Sequence, residues 1–121
     1  MTKPKRLLFV CLGNIVRSPL AEHLFRHVAQ QRGLLNGYEV DSAGTSRAHV
    51  GEAPDPRMRR TAAKHGLHYN GSARRIQYDD LDRFDLVIAM DQTNFTDLRL
   101  MASSPDQLAR IHLMREFDPH A

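Results

Sequence analysis

The stretch RLLFVCLGNIVRSPLAE, residues 6–22, decides the fold of this chain. Its apolar run at 6–10 predicts a buried strand of a parallel sheet, because such strands carry continuous hydrophobic residues. A loop containing a glycine follows, and Ser18-Pro19 then predicts the start of a helix, with Ser18 as the N-cap. Apolar residues recur at helical spacing from Leu20 onward, so this helix is expected to bury one face. A strand, a loop and a helix in this order predict the first unit of an α/β fold.

The rest of the chain continues the same alternation of strands and helices. Strands are predicted at 38–44, 84–90 and 109–114, with helices from 55 to about 64 and after Asp91. We therefore expect an α/β three-layer sandwich, in which a central four-stranded parallel sheet carries helices on both faces. Ligands of such sheets bind at the carboxyl ends of the strands, where the loop after the first strand lies. The 121 residues are expected to form a single domain, 1–121.

The composition is that of a soluble globular protein, with 41% hydrophobic and 26% charged residues. No apolar stretch approaches the roughly 20 residues that span a bilayer, and the apolar run near the start is shorter than a secretory signal requires. A cytoplasmic location without a membrane partner is therefore predicted. The single cysteine permits no internal disulfide. The net charge of +3 comes from scattered basic residues without interleaved aromatic side chains, so no nucleic-acid partner is predicted.

The loop after the first strand has the composition of an anion-binding site. It lies between a strand end and a helix N-terminus, where backbone N–H groups and the helix dipole favour negative charge. Gly13 allows the close turn that such a loop needs, and Arg17 supplies two parallel donors for two phosphate oxygens. The sequence therefore predicts that six consecutive residues bind phosphate: Leu12, Gly13, Asn14, Ile15, Val16 and Arg17.

Cys11 is expected to lie beneath this loop, where the same amides and the guanidinium favour its thiolate form. A thiolate in contact with a bound phosphate can attack phosphorus and form a cysteinyl-phosphate intermediate. Ser18 can donate its hydroxyl to the sulfur and help it to depart in a second step. Cys11 and Arg17 are therefore the predicted catalytic residues, and Ser18 is predicted to support the thiolate.

These residues resemble a known family. The segment VCLGNIVRSPLAE is similar to the phosphate-binding loop of the low-molecular-weight protein tyrosine phosphatases, whose signature is Cys, five residues, Arg and Ser. Similarity extends over essentially the whole chain, through the segments VDSAGTS, HVGEAPDPR and FDLVIAMDQTN. The resemblance implies hydrolysis of phosphotyrosine in two steps, without a metal or another cofactor. It also implies that Asn14 and Ser42 hold the shape of the loop through side-chain hydrogen bonds.

The resemblance also predicts the substrate class. An apolar Ile15 suits the face of a phenyl ring, whereas the phosphoarginine-specific branch of the family has Thr at this position. The expected partners are a phosphotyrosine protein or a small phosphomonoester, and inorganic phosphate or sulfate is expected to occupy the loop. Ala48 stands where many relatives have an aromatic side chain beside the pocket, and Tyr69 and His49 are the two candidates to replace it.

The leaving group of this reaction needs a proton, which in the family comes from an Asp in a late DPYYG-like loop. The sequence ends at REFDPHA, and we do not assign Asp118 as this acid, because it matches a segment that precedes the acid loop. The alternative function is a phosphate- or phosphotyrosine-binding module with impaired turnover. The last helix of the family is also not found in these residues, so a truncated or short chain and self-association through an uncovered sheet face are expected.

Two further clusters are expected to have no catalytic role. His23 and His27 are spaced for one helix face, but without a carboxylate partner they predict no metal site. The acidic cluster at 79–85 is expected to be a solvated helix start. Arg74 and Arg75 fit either the acidic flank of a phosphoprotein or a salt bridge at the surface.

Overall fold

The computed structural model describes residues 3–119 and places a four-stranded, all-parallel sheet at the centre of the chain. The spatial order is β2-β1-β3-β4, with each neighbouring pair parallel. The prediction of an α/β fold with a four-stranded parallel sheet is confirmed. The strands are β1 (Lys5–Cys11), β2 (Tyr38–Gly44), β3 (Leu86–Ala89) and β4 (Ile111–Leu113).

Within residues 3–119, five α-helices and two short 3-10 helices connect and follow these strands. Two of the helices begin at caps that the sequence predicts: Asp55 accepts a hydrogen bond from Met58 N at 3.0 Å, and Asp91 accepts one from Asn94 N at 2.8 Å. The α-helices are α1 (Arg17–Gln31), α2 (Pro56–Lys64), α3 (Asp80–Arg83), α4 (Gln92–Met101) and α5 (Pro105–Arg110). The 3-10 helices cover Leu35–Gly37 and Met114–Phe117.

Two predictions are wrong, one about the cap of a helix and one about the length of a strand. Helix α1 begins at Arg17 with Val16 as its N-cap, and Ser18 is not the cap, because its hydroxyl lies 2.9 Å from the sulfur of Cys11. The strand predicted at 109–114 is only three residues long, because α5 occupies the residues before it. Ser104 caps α5 by accepting from Gln107 N at 3.2 Å, and a proline follows it at the first helical position.

Side chains of β1 alternate between two apolar layers, which explains its continuous hydrophobic run. Leu8 and Val10 face a core that Leu81 of α3 and Leu98 of α4 complete, and all four are fully buried. On the other sheet face, a cluster of buried strand residues packs against Ala21 and Phe25 of α1: Leu7, Phe9, Val40 and Ile88. Helices therefore cover both faces, as the three-layer prediction requires.

A short segment after α2 adds a parallel bridge to the outer edge of β2. Gly44 N donates to Arg74 O and Ile76 N donates to Gly44 O, each at 2.8 Å. The Arg74 guanidinium bonds both oxygens of Asp80, at 2.9 and 3.2 Å, and reaches Asp41 at 3.1 Å. Burial lowers the pKa of Arg74, but its hydrogen bonds and charge interactions with Asp80 and Asp41 outweigh burial and raise that pKa above its usual value.

The expectation that the acidic cluster is solvated is wrong for Asp80, which is 0% exposed. A buried carboxylate needs charged or polar partners, and Asp80 obtains them from Arg74 and from the N–H of Gln77 at 2.7 Å. Arg74 is thus an anchor between β2 and α3, and the sequence left its role open.

We predict that Arg74→Ala lowers the free energy of unfolding by about 3 kcal/mol, because removing one partner of a buried ion pair leaves the other partly uncompensated. Asp80 would keep the backbone N–H of Gln77 and the more distant Arg83, 3.7 Å away. Urea unfolding followed by circular dichroism measures the change.

Arg75→Ala is the matched control for this substitution, because Arg75 is the neighbouring arginine and is exposed. It should change the free energy of unfolding by no more than about 0.5 kcal/mol. Equal effects of the two substitutions would contradict the assignment of Arg74 as an anchor.

Candidate active site

Cys11 is the last residue of β1 and lies at the base of the loop 12–16, with 4% of its surface exposed. Its sulfur accepts a hydrogen bond from Asn14 N at 3.2 Å and lies 2.9 Å from the hydroxyl oxygen of Ser18. That oxygen accepts from Asn14 Nδ2 at 2.9 Å, which leaves the hydroxyl proton for an acceptor such as the sulfur. One N–H therefore donates to the sulfur, and the Ser18 hydroxyl lies within hydrogen-bond distance of two acceptors, the sulfur and Ala43 O at 3.4 Å.

Asn14 gives the loop its shape. Its backbone has φ +56°, the one non-glycine residue in the described part of the chain with a positive φ. Asparagine tolerates this left-handed conformation better than most residues do. Its buried side chain donates to Ser18 Oγ and accepts from Arg74 N, each at 2.9 Å. The anchor at Arg74 is thereby connected to the loop and to the hydroxyl beside the sulfur.

The loop carbonyls bond outward to a second loop, residues 45–55. Thr45 N donates to Cys11 O at 3.0 Å, Ser46 N to Leu12 O at 2.9 Å, and Asp55 N to Ile15 O at 2.7 Å. Because the C=O and N–H of a trans peptide point in opposite directions, the N–H groups that follow these carbonyls face away from the second loop. These are the amides of Leu12, Gly13 and Val16. The orientation is the one that an anion cradle requires.

Arg17 is the first residue of α1, and its guanidinium is already held in place. Its Nη2 donates to Asp91 Oδ2 at 2.8 Å, while Asp91 Oδ1 accepts the capping bond from Asn94 N. The backbone hydrogen bond from Asn94 is the largest cause that holds the pKa of Asp91 below its usual value, and Arg17 adds to it. Asp91 thus connects α4 to Arg17, a role that the sequence did not reveal beyond its capping function.

Ser42 contacts helix α1 rather than the loop. Its hydroxyl donates to Glu22 Oε1 at 2.7 Å, and the other oxygen of Glu22 accepts from Arg26 Nε at 3.1 Å. The effect of Ser42 on the shape of the loop stays a prediction. The direct bond to Asn14 comes instead from the backbone of Arg74, which sequence reasoning missed.

Gly44 is a second site residue that sequence reasoning missed. A Cβ atom at this position would lie 2.7 Å from Leu12 O and 3.1 Å from Asn14 N. The end of β2 can therefore approach the loop backbone only because residue 44 has no side chain. A glycine at the end of a predicted strand is the signal that could have identified it.

Tyr69 and His49, the two candidates for the position beside the pocket, differ in burial and in their contacts. Tyr69 is buried in a cluster with Ala62 and Leu67, and its ring stacks on His23 at 5.1 Å between centroids. His49, in contrast, lies against Gly13 of the loop, and its side chain is 42% exposed. Of these two side chains, His49 is therefore the accessible ring beside Gly13.

Among residues 3–119, no three or more Cys, His, Asp or Glu side chains are grouped so that they could hold a metal ion. No helix in that range has the length and apolarity needed to cross a membrane.

Asp118 directly follows the 3-10 helix Met114–Phe117, and its N–H donates to Arg115 O at 3.1 Å. A groove lined by α1, Phe9 of β1, Met90 and Met114 exposes apolar side chains, and self-association through it stays a prediction.

A strand, a loop and a helix that carry one buried cysteine and one arginine are typical of cysteine-dependent phosphatases, and comparisons with known proteins identify the family. The family model described as low molecular weight phosphotyrosine protein phosphatase matches residues 6–121. The Gallus gallus low molecular weight phosphotyrosine protein phosphatase is 40% identical over 116 residues, which cover 95% of this chain and 73% of that protein. The chain therefore belongs to the low molecular weight phosphotyrosine protein phosphatase family.

Solved structures agree with this assignment. The structure of YfkJ from Bacillus subtilis is 36% identical with a TM-score of 0.93, and the match covers 99% of this chain and 76% of that one. A Drosophila arginine phosphatase is 37% identical with a TM-score of 0.84, and the match covers 91% of this chain and 71% of that one. The chain is therefore similar both to a protein named as a phosphotyrosine phosphatase and to one named as an arginine phosphatase.

We predict that Gly44→Ala disrupts the phosphate loop, because the added Cβ would press on backbone atoms that cannot rotate away. The free energy of unfolding should fall by about 1–3 kcal/mol, and inorganic phosphate should bind more weakly. Calorimetric titration with phosphate, together with urea unfolding, measures both effects.

Gly37→Ala is the control for Gly44→Ala, since a Cβ at residue 37 meets nothing within 4 Å. It should leave both phosphate binding and unfolding close to those of the unchanged chain. Unaltered phosphate binding in Gly44→Ala would show that the close approach of β2 does not shape the loop.

We also predict a pH-dependent effect of Asp91→Asn. The folded chain lowers the pKa of Asp91 from 3.8, so its stabilising contribution is present above that value and is lost as the pH falls through the lower folded pKa. Near pH 6 the unchanged chain should be more stable than Asp91→Asn by up to about 1 kcal/mol, as expected for an exposed ion pair. Melting temperatures of the two proteins, measured from about pH 6 down to about pH 2, should become equal as the pH falls. A gap of constant size would contradict the assigned ion pair.

Proposed function

We propose that this chain hydrolyses phosphotyrosine phosphomonoesters through a cysteinyl-phosphate intermediate on Cys11. The observation that carries the proposal is the convergence of Ser18 Oγ and Asn14 N on the Cys11 sulfur, at 2.9 and 3.2 Å. The sulfur lies at the base of a loop whose Leu12, Gly13 and Val16 amides face away from residues 45–55, and Arg17 follows this loop at the start of α1. Family membership implies phosphotyrosine phosphatase activity, and this geometry supports the covalent route.

The phosphate group would be held by the loop amides and by Arg17. Its oxygens accept hydrogen bonds from the inward-facing N–H groups, while the guanidinium has donors that its bond to Asp91 does not use. These donors balance the negative charge that builds up on the phosphoryl oxygens during transfer. Asp91 keeps the guanidinium in place before the substrate arrives, so little ordering is needed when it binds.

The reaction then has two balanced steps. In the first, the Cys11 thiolate forms a bond to phosphorus as the P–O bond to the phenol breaks, and the phenolic oxygen keeps the electron pair and takes up a proton from water. In the second, water attacks phosphorus, the S–P bond breaks and the sulfur departs as a thiolate. The Ser18 hydroxyl stabilises that thiolate by donating a hydrogen bond.

Ile15 supports a phosphotyrosine substrate. Its Cγ1 lies 3.6 Å from the point that a Cβ of Gly13 would occupy, so its apolar side chain stands at the loop. Phosphoarginine is the second candidate substrate, because the Drosophila arginine phosphatase shares this fold at 37% identity. Comparison of hydrolysis rates for matched phosphotyrosine and phosphoarginine peptides decides between them, and the apolar Ile15 predicts faster cleavage of phosphotyrosine.

Replacement of the nucleophile tests the proposed route directly. Cys11→Ser should lower the turnover of an aryl phosphate on the order of a thousandfold or more, since the attacking group is lost. Phosphate release, measured for the unchanged chain and the variant, gives this ratio. Unchanged hydrolysis in Cys11→Ser would refute the cysteinyl-phosphate route.

The same assay separates an enzyme from a binding module with impaired turnover. An enzyme releases many equivalents of phenol, whereas a module that only accepts the phosphoryl group releases at most one equivalent from an activated ester and then stops. Arg17→Lys keeps the charge but loses the planar pair of donors, so it should weaken phosphate binding in either case.

A further inference from the structure

We propose that the basic face of helix α2, formed by Arg57, Arg60 and Lys64, is a docking surface for acidic residues that flank the phosphotyrosine of a protein substrate. The inference rests on the proposed hydrolysis of phosphotyrosine phosphomonoesters and extends it by naming the class of protein sequence that the chain selects. None of the three side chains belongs to the loop or to the arginine that would hold the phosphate group.

Positive charge is concentrated in the segment between the N-cap of α2 and the start of α3. Residues 56–78 contain six Lys and Arg and no Asp or Glu. The whole chain has 17 Lys and Arg against 14 Asp and Glu, so the residues outside this segment carry more acidic than basic side chains. A local excess of one charge attracts partners of the opposite sign. The cations of the segment are Arg57, Arg59, Arg60, Lys64, Arg74 and Arg75.

Two of these cations serve the fold. Arg59 lies on α2 and uses its guanidinium to hold neighbouring segments, since Nε donates to Pro54 O and Nη1 donates to Asn70 Oδ1, each at 3.1 Å. Arg74 is the anchor that bonds the buried carboxylate of Asp80. Their positive charges therefore have a structural explanation.

The other three cations of α2 have none. Arg57, Arg60 and Lys64 are spaced by three and four residues, which places them side by side on one helix face. All three are exposed, and among residues 3–119 none of their side chains forms an ion pair. Like charges at this spacing repel each other, and Arg57 lies in the first turn, where the helix dipole disfavours a cation. The arrangement therefore lowers the stability of α2, and an anionic partner would offset the repulsion.

Helix α2 begins beside the phosphate loop. Its N-cap, Asp55, donates from its backbone N–H to Ile15 O at 2.7 Å, and Arg57 follows two residues later. The face from residue 57 to residue 64 is about 10 Å long at the rise of an α-helix. Three or four residues of an extended peptide cover the same length. The residues next to a phosphotyrosine in the loop are therefore the part of a substrate that this face can bind.

The composition of α2 favours a peptide over the other polyanions. A binding site for single-stranded nucleic acid combines positive charge with aromatic side chains for stacking, and residues 56–68 contain no Phe, Tyr or Trp. A helix that lies in a membrane surface needs large apolar residues opposite its basic face, and Met58 is the one such residue of α2. A few carboxylates of an extended segment match three neighbouring cations.

Two phosphotyrosine-mimetic peptides that differ only in charge test the assignment. Both carry a phosphonate that cannot be hydrolysed in place of the phosphate; one has Glu at the three positions on each side, and the other has Gln. The unchanged chain should bind the acidic peptide about tenfold more tightly, since each of three exposed ion pairs contributes about twofold to threefold. Replacing Arg57, Arg60 and Lys64 together by Gln should reduce this ratio to about twofold or less.

Substitution of Lys3, Lys5 and Arg32 together by Gln is the matched control. It removes the same charge from exposed residues before and at the start of β1 and after the end of α1, away from the phosphate loop. The control should keep the ratio of about tenfold. Both triple variants should bind inorganic phosphate within about twofold of the unchanged chain, and the melting temperature of the α2 variant should not fall, because a repulsion is removed.

Three outcomes would overturn the proposal. Equal binding of the two peptides by the unchanged chain would mean that the face does not select acidic sequences. An equal loss of the ratio in both triple variants would mean that net charge, and not α2, determines it. Binding to phosphatidylserine vesicles that depends on α2, without a preference between the peptides, would assign the face to a membrane surface. All three are binding measurements, so failure of this inference is distinct from failure of the cysteinyl-phosphate route.

Discussion

The left-handed backbone of Asn14 is the constraint on which the site depends. It turns the chain so that the N–H of Asn14 meets the Cys11 sulfur at 3.2 Å, while its side chain reaches Ser18 on one side and the backbone of Arg74 on the other. A strained conformation persists only where its surroundings determine it, and here two side-chain hydrogen bonds do so. The nucleophile, its hydroxyl partner and the loop shape thus depend on one residue.

Charged pairs fix this arrangement from two directions. Arg74 connects the loop to the fully buried Asp80 and to Asp41, so the outer edge of the sheet holds the loop from behind. Asp91 holds Arg17 from the opposite side of the site while it caps α4. An active site that is ordered before its ligand arrives loses less conformational entropy when the ligand binds, which is the advantage of preorganisation.

Local patterns in the sequence predicted most of the sheet and the reactive loop, because strand runs, capping residues and the Cys-to-Arg spacing are all short-range signals. The β2 strand at 38–44 and the caps at Asp55 and Asp91 illustrate this. What could not be predicted depends on distant residues that the fold brings together. Ser18 was expected to cap α1, but its proximity to Cys11 gives its hydroxyl another partner. Gly44, Arg74 and the contact between His49 and Gly13 likewise require the tertiary structure.

The most direct test of the account is to capture the phosphoryl group on the enzyme during turnover. The chain is mixed with an aryl phosphate, quenched in acid within the first turnovers, digested and analysed by mass spectrometry. The account predicts that one phosphoryl group is found on the peptide containing Cys11 and is not found in Cys11→Ser. Rapid turnover with no phosphorylated Cys11 peptide at any quench time, or with the phosphoryl group on another residue, would contradict it.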